Sequence, residues 1–252
     1  MKRFFTLIII AISFVSAFAQ TGSEYQKKAE EALAAKEYIK ARYLYLKAYQ
    51  AFAANSNLDA AIPCAINVAS LYHRENYYSN GFEVLYTAEH FLNDQEETKG
   101  IKKPELHYAI DRERQRMYLK MRNNDRASDQ LTKMKNWAQQ ASDSTLTVDL
   151  LSASAQYYYM LGMTDKGDSA VNSLVSFYKR NSDLDKADEC YKNLISMANT
   201  TGNARLISRV YDKYISWNDS IAQAKVDEKT ADLREQLDQA NEDIEDRDDS
   251  LT

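Results

Sequence analysis

Glycine and proline are almost missing from this chain, at six and two in 252 residues, and no alternating β-type run stands out. Those absences exclude collagen-like, low-complexity and strand-rich architectures and leave an all-α chain. Cysteine is as scarce. Cys64 and Cys190 are the only two, so no disulfide framework holds the fold, and both read as buried thiols. There is no basic excess either. A net charge of −5 supplies no surface for nucleic acid. No glycine-rich phosphate loop, nucleophile elbow or kinase signature occurs, and His73, His90 and His107 are read as lacking the spacing of a metal site. Neither an enzyme, a cofactor nor a metal is therefore expected within these residues.

A long apolar run is found only at the start. Residues 1–19, MKRFFTLIIIAISFVSAFA, place Lys2 and Arg3 before an apolar run and end on Ala17-Phe18-Ala19. This is the pattern of a cleaved secretory signal, with Gln20 as the first mature residue and a periplasmic destination. No later stretch approaches the ~20 apolar residues of a membrane span, so any membrane attachment is expected from a segment beyond Thr252. Residues 219–252 hold twelve acids against four bases, a net of −8, which leaves residues 20–218 near neutrality.

What is present is a repeated spacing. A residue, small in three of the five copies, is followed at +12, +16 and +19 by further small or apolar ones: Ala29/Ala41/Tyr45/Ala48, Ala69/Gly81/Leu85/Ala88 and Gln115/Ala127/Leu131/Met134. Ala155/Gly167/Val171/Leu174 and Ile195/Ile207/Tyr211/Tyr214 continue it. Each copy predicts two antiparallel helices whose small residues let the backbones approach. The expected helical pairs are 24–35 with 38–53, 60–73 with 79–92, 105–121 with 126–141, 147–161 with 166–179, and 184–199 with 204–217. Thr98 to Pro104 is expected to be a long loop, accounting for a step of 46 residues between copies two and three where the other steps are 40.

The residues Tyr25, Ala29, Ala32, Ala41, Tyr45 and Ala48, then Ala65, Val68, Ala69, Tyr72, Gly81, Leu85 and Ala88, resemble the tetratricopeptide repeat. The resemblance implies an α-α superhelix of about five hairpins over residues 20–218 that binds a peptide or protein in a concave groove. The period is longer than that family's, and Arg114 and Gln115 occupy places where an apolar and a small residue belong.

Two features bear on ligands. Arg112, Arg116 and Lys120 recur at i, i+4 and i+8 on one side of the third copy's first helix. They read either as ion pairs with Asp111 and Glu113 on a wet face, or as a basic strip in the groove that captures an acidic peptide or carboxylate. Most of the eighteen tyrosines are expected to fill the wedges between hairpins. Tyr159, beside Gln156, is expected on the inner face, which makes Arg112, Arg116, Lys120, Gln156 and Tyr159 the candidate ligand-binding set. Asp143-Ser, Asp168-Ser, Asp219-Ser and Asp249-Ser resemble O-glycosylation sites of exported Bacteroidetes-type proteins, and the same pairs suit helix caps.

After Trp217, residues 219–252 change character. Val226, Leu233, Leu237, Ala240, Ile244 and Leu251 form one seam of 3- and 4-residue steps, interrupted by Thr230 and Arg247, on an otherwise charged helix. It reads as a coiled coil that pairs two copies in a parallel homodimer, or as a solvated capping helix. The order of signal, repeats and charged heptad helix resembles the periplasmic sensor of Bacteroidetes-type membrane-bound two-component histidine kinases and related regulators. That resemblance implies a sensor tethered to the inner membrane in a longer parent, with its output module outside this sequence. A free-standing periplasmic protein-protein interaction adaptor is the alternative.

Overall fold

The computed structural model describes residues 21–249, with side-chain surroundings for all but 200 and 240–249. The signal sequence and Leu251 lie outside them. Ten helices follow in order: α1 (21–34), α2 (Tyr38–Ala54), α3 (Leu58–Arg74), α4 (Tyr78–Lys99), α5 (Pro104–Lys120), α6 (Asn124–Ala141), α7 (Ser144–Met160), α8 (Thr164–Arg180), α9 (Leu184–Thr201) and α10 (Ala204–Asp249). Among the described residues there is no strand. The chain is an all-α helical repeat built of consecutive pairs, as its composition requires.

Every connection is made by the same device. Each of the nine turns holds one residue in the left-handed region: Lys36, Ser56, Asn76, Gly100, Arg122, Ser142, Gly162, Ser182 and Gly202. At most of them the next N–H reaches back five residues, as from Glu37 to the Ala32 carbonyl, Asn57 to Phe52 and Tyr77 to Tyr72. This closes the helix end and satisfies a carbonyl that would otherwise be orphaned. Side chains then start the following helix: Asn57 Oδ1 accepts from the Ala60 N–H, Asn123 Oδ1 from Arg126 and Asp183 Oδ1 from Lys186. Asp143 does the same for Thr145, so the first Asp-Ser pair has a capping role.

Residues up to Phe177 and from Tyr178 form two compact units. In the first, buried alanines line the pairs: Ala29, Ala41, Ala48, Ala61, Ala65, Ala69 and Ala88 are fully covered. Glycine permits the tightest approaches. A Cβ on Gly81 would lie 2.9 Å from Met117 Cε and 3.3 Å from the Ala69 carbonyl, and one on Gly167 would lie 2.6 Å from the Tyr159 ring. One apolar cluster joins Ala29, Tyr45, Phe52, Cys64 and Val68, a second joins Ile62, Leu85, Leu92, Ile110 and Met117, and a third joins Tyr108, Met134 and Ala138. Both cysteines are free. Burial and then the Glu30 charge push the Cys64 thiol up to about 12, and burial with Glu189 raises Cys190 to about 11, so both stay protonated and inert.

The second unit corrects the fifth copy. Ile195 and Ile207 are only half-buried and Tyr211 is exposed, whereas Ala198, Val210, Tyr214 and Trp217, three residues later, carry the +12, +16, +19 spacing. Ala198 is fully covered and Val210 nearly so. Both registers are apolar in sequence, but only Ala198 is small enough for the close helix contact. Tyr191, Tyr214 and Trp217 fill the wedge, with Tyr191 and Trp217 ring centroids 5.4 Å apart.

Two helix ends also move. α4 runs seven residues past Leu92 to Lys99, so the expected loop shrinks to residues 100–103, stopped by Gly100 at φ 64°. α10 does not end at Trp217 but continues to Asp249, because no glycine or proline occurs between Gly202 and the carboxyl terminus.

Candidate functional site

The structure concentrates its unusual chemistry on α5. His107, Asp111, Arg112, Glu113, Arg114 and Gln115 are all buried, although a repeat helix ordinarily buries small and apolar residues there. Each has a partner on a neighbouring helix or on α5 itself. The Glu96 carboxylate of α4, also buried, accepts from the Lys103 backbone N–H at 2.6 Å, Lys102 Nζ at 3.2 Å and His107 Nε2 at 3.2 Å. The His107 ring stacks on Trp137 of α6 with centroids 4.5 Å apart. Trp137 Nε1 donates to Asp111 Oδ2 at 2.9 Å. Arg114 bridges Asp111 Oδ1 at 3.1 Å and Glu89 Oε2 of α4 at 2.7 Å.

On the side toward α7, Arg112 Nε donates to Asp149 Oδ2 at 3.0 Å and its NH1 to Gln115 Oε1 at 2.6 Å. Tyr108 Oη donates to the same Asp149 oxygen at 2.7 Å, and Gln115 Nε2 reaches the Ala153 carbonyl at 3.4 Å. On the side toward α3, His73 Nδ1 lies 2.9 Å from Glu113 Oε1, Arg116 NH1 donates to Glu113 Oε2 at 3.4 Å, and Lys120 Nζ donates to the His73 carbonyl at 3.3 Å. Arg114 and Gln115, which departed from the repeat pattern, are thus pins that join α4 and α7 to α5, while Asp111 and Glu113 beside them hold α6 and α3.

The candidate ligand residues separate accordingly. Arg112 is 8% exposed and engaged by Asp149 and Gln115, because α7 approaches α5 at that level; it is not part of an open basic strip. The expected pairs with Asp111 and Glu113 exist, from Arg114 and Arg116, but their carboxylates are buried rather than wet. Arg116 and Lys120 stay exposed, one turn apart, over the His73–Glu113 pair. Gln156 is half-buried. Tyr159 is turned inward and not onto the inner face: it is 2% exposed, lies against Gly167, and donates to Asp168 at 2.5 Å. A ring that size fits only because Gly167 offers no side chain. Sequence reasoning missed His73 and Glu113 as a pair, since 40 residues separate them and they stand at different places in copies two and three. His90 does have a carboxylate at i+4, Asp94 at 3.1 Å, on the exposed surface. Among the described residues no group of three metal-ligating side chains occurs, and no helix is long and apolar enough to cross a membrane.

Burial opposes ionisation of Glu89, but the Arg114 hydrogen bond and charge outweigh it and hold the carboxyl below its ordinary value. Burial likewise opposes Glu96, outweighed by the Lys103 N–H, His107 and Lys102. Asp111 goes the other way: burial raises it, only partly offset by Trp137 and Arg114. Lowered carboxyls contribute stability above the unfolded value of about 4 that is lost as pH falls through their folded values, whereas a raised one favours folding as it protonates. Urea denaturation at steps from neutral to acid pH is therefore expected to show stability falling below about pH 4, with a shallower fall for E89Q and E96Q. Equal slopes in all three proteins would remove the two carboxylates as the cause.

The fold and this geometry define a helical-repeat protein with a charged central helix. No family model and no curated protein matches the sequence. Among solved structures, the chain is similar to BtubC (BKLC) from P. vanneervenii, with a TM-score of 0.55 and 12% identity over 82% of this chain and 91% of that one. At that identity the likeness shows the fold alone.

Proposed function

We propose that this chain is an exported, tetratricopeptide-like binding domain that takes an acidic or carboxylate-ended peptide on the surface of α3, α5 and α7. It serves as the periplasmic sensor part of a signalling protein of the two-component type, whose output module lies outside this sequence and which assembles as a homodimer through its carboxyl-terminal helix. The carrying observation is the cluster of His73, Glu113, Arg116 and Lys120. Glu113 is buried beneath it and fixes Arg116, while Lys120 is anchored on the His73 carbonyl, so two cations are presented in a set geometry with little ordering left to lose on binding. Arg112, locked to Asp149, then serves to hold α7 beside them. The signal sequence and the order of parts support the periplasmic reading.

The test is fluorescence anisotropy with decapeptides carrying a free carboxyl terminus, against the same peptides amidated. Carboxylate peptides are expected to bind more tightly, and R116E/K120E together to weaken them by roughly ten-fold or more, an effect that salt diminishes. Equal binding of both peptide sets, or indifference to the double reversal, would overturn the assignment.

A further inference from the structure

The second unit exposes an apolar stripe that begins inside the last hairpin. Tyr211 and Ile215, on the part of α10 that belongs to the repeat, and Val226, Leu233 and Leu237, on the part that runs out of it, are between 41% and 59% exposed. Their 4-, 11-, 7- and 4-residue steps keep them on one side of a continuous helix. A repeat stack needs a polar cap on its last hairpin, and the polar outer face of α10, where Arg205, Ser208 and Asp212 are exposed, is interrupted by Tyr211 and Ile215.

We propose that this stripe is the contact between two copies of the chain, paired antiparallel, so that each copy's tail caps the other's last hairpin. Charge selects the direction. Residues 204–213 carry three bases and one acid, whereas residues 240–252 carry six acids and one base. A parallel pair lays the acidic ends side by side. It also brings Lys229 against Arg234, five residues apart at the flanks of the seam, where like charges meet across parallel helices. An antiparallel pair carries each acidic end to the other copy's basic start.

One exposed apolar pair meets in the same arrangement. With Val226 at the two-fold axis, Ile215 falls opposite Leu237, eleven residues from the axis on each side. The two-fold axis is then perpendicular to α10. This pairing rests on the homodimer proposed above, whose direction it supplies, and is independent of the groove ligand.

The experiment uses the mature chain with Cys64 and Cys190 replaced by alanine and single cysteines added. Ile215→Cys and Leu237→Cys proteins, mixed and oxidised, are expected to crosslink to each other, while Leu237→Cys alone does not crosslink to itself. Sedimentation should give twice the chain mass, returning to one chain for L233D/L237D with the helical signal of the repeats retained. Self-crosslinking at Leu237 would show a parallel pair and overturn the proposal. A single-chain mass at all concentrations, with no crosslink in the mixture, would overturn it as well.

Discussion

Replacing Arg114 by methionine is expected to destabilise the folded chain by about 3–5 kcal/mol, the loss that follows when one member of a buried ion pair is removed and the other is left behind. The guanidinium holds two carboxylates, Asp111 and Glu89. They differ in what they can do without it. Glu89 is 29% exposed and can turn to water. Asp111, at 2%, cannot, and would keep the Trp137 indole while burial pushed its carboxyl further up. The damage is therefore assigned to Asp111, which makes the claim separable: R114M/D111N should recover part of the loss, because the amide removes the unpaired charge and still accepts from Trp137. Urea denaturation of the mature chain measures both. A loss under about 1 kcal/mol for R114M would place the pair among interactions too exposed to matter.

The same network explains what was legible in the sequence and what was not. The helical pairs were legible because alanine and glycine recur where backbones meet, and a 3.6-residue helix must return such residues to one face. Turn positions were only partly so. Three of the nine left-handed turn residues are glycine and the rest are Lys, Ser, Asn and Arg, whose side chains do not announce the conformation. The fifth copy slipped by three residues because Ile195 and Ile207 satisfy an apolar pattern as well as Ala198 and Val210 do; size decided between them, and periodicity does not weigh size. Gln115 was visible as an exception, but its reason lies in Arg112 and Ala153, on its own and a neighbouring helix. Charge runs are the hardest to read. Asp111 to Gln115 has the composition of a wet face, and it is buried because four helices surround it with matching partners, an arrangement that becomes visible only when residues 25 to 40 apart in sequence are brought together.

Substituting leucine for Glu96 is expected to cost roughly 3 kcal/mol, because charge-assisted hydrogen bonds contribute about 1.5–3 kcal/mol each and their orphaned donors remain buried. Glu96 is what makes the step between the second and third repeats possible. α4 overruns its expected end by two turns, the chain reverses at Gly100, and the carboxylate collects the Lys103 N–H, which opens α5, together with His107 one turn further on. Leucine fills the same volume, so packing alone would be little changed. What fails is the polar floor: His107 loses its acceptor while still pressed on Trp137, and Lys103 loses the bond that starts the helix. Lys102 offers the control. Its ammonium also reaches Glu96, but from an 80% exposed side chain, so K102A should fall within about 0.5 kcal/mol of wild type. Hydrogen exchange then locates the effect. The Lys103 amide should lose protection in E96L well before the amides of α2, whose contacts are made with α1, α3 and α4; uniform loss through the first unit would mean that the carboxylate acts on global stability and not on the α4–α5 junction.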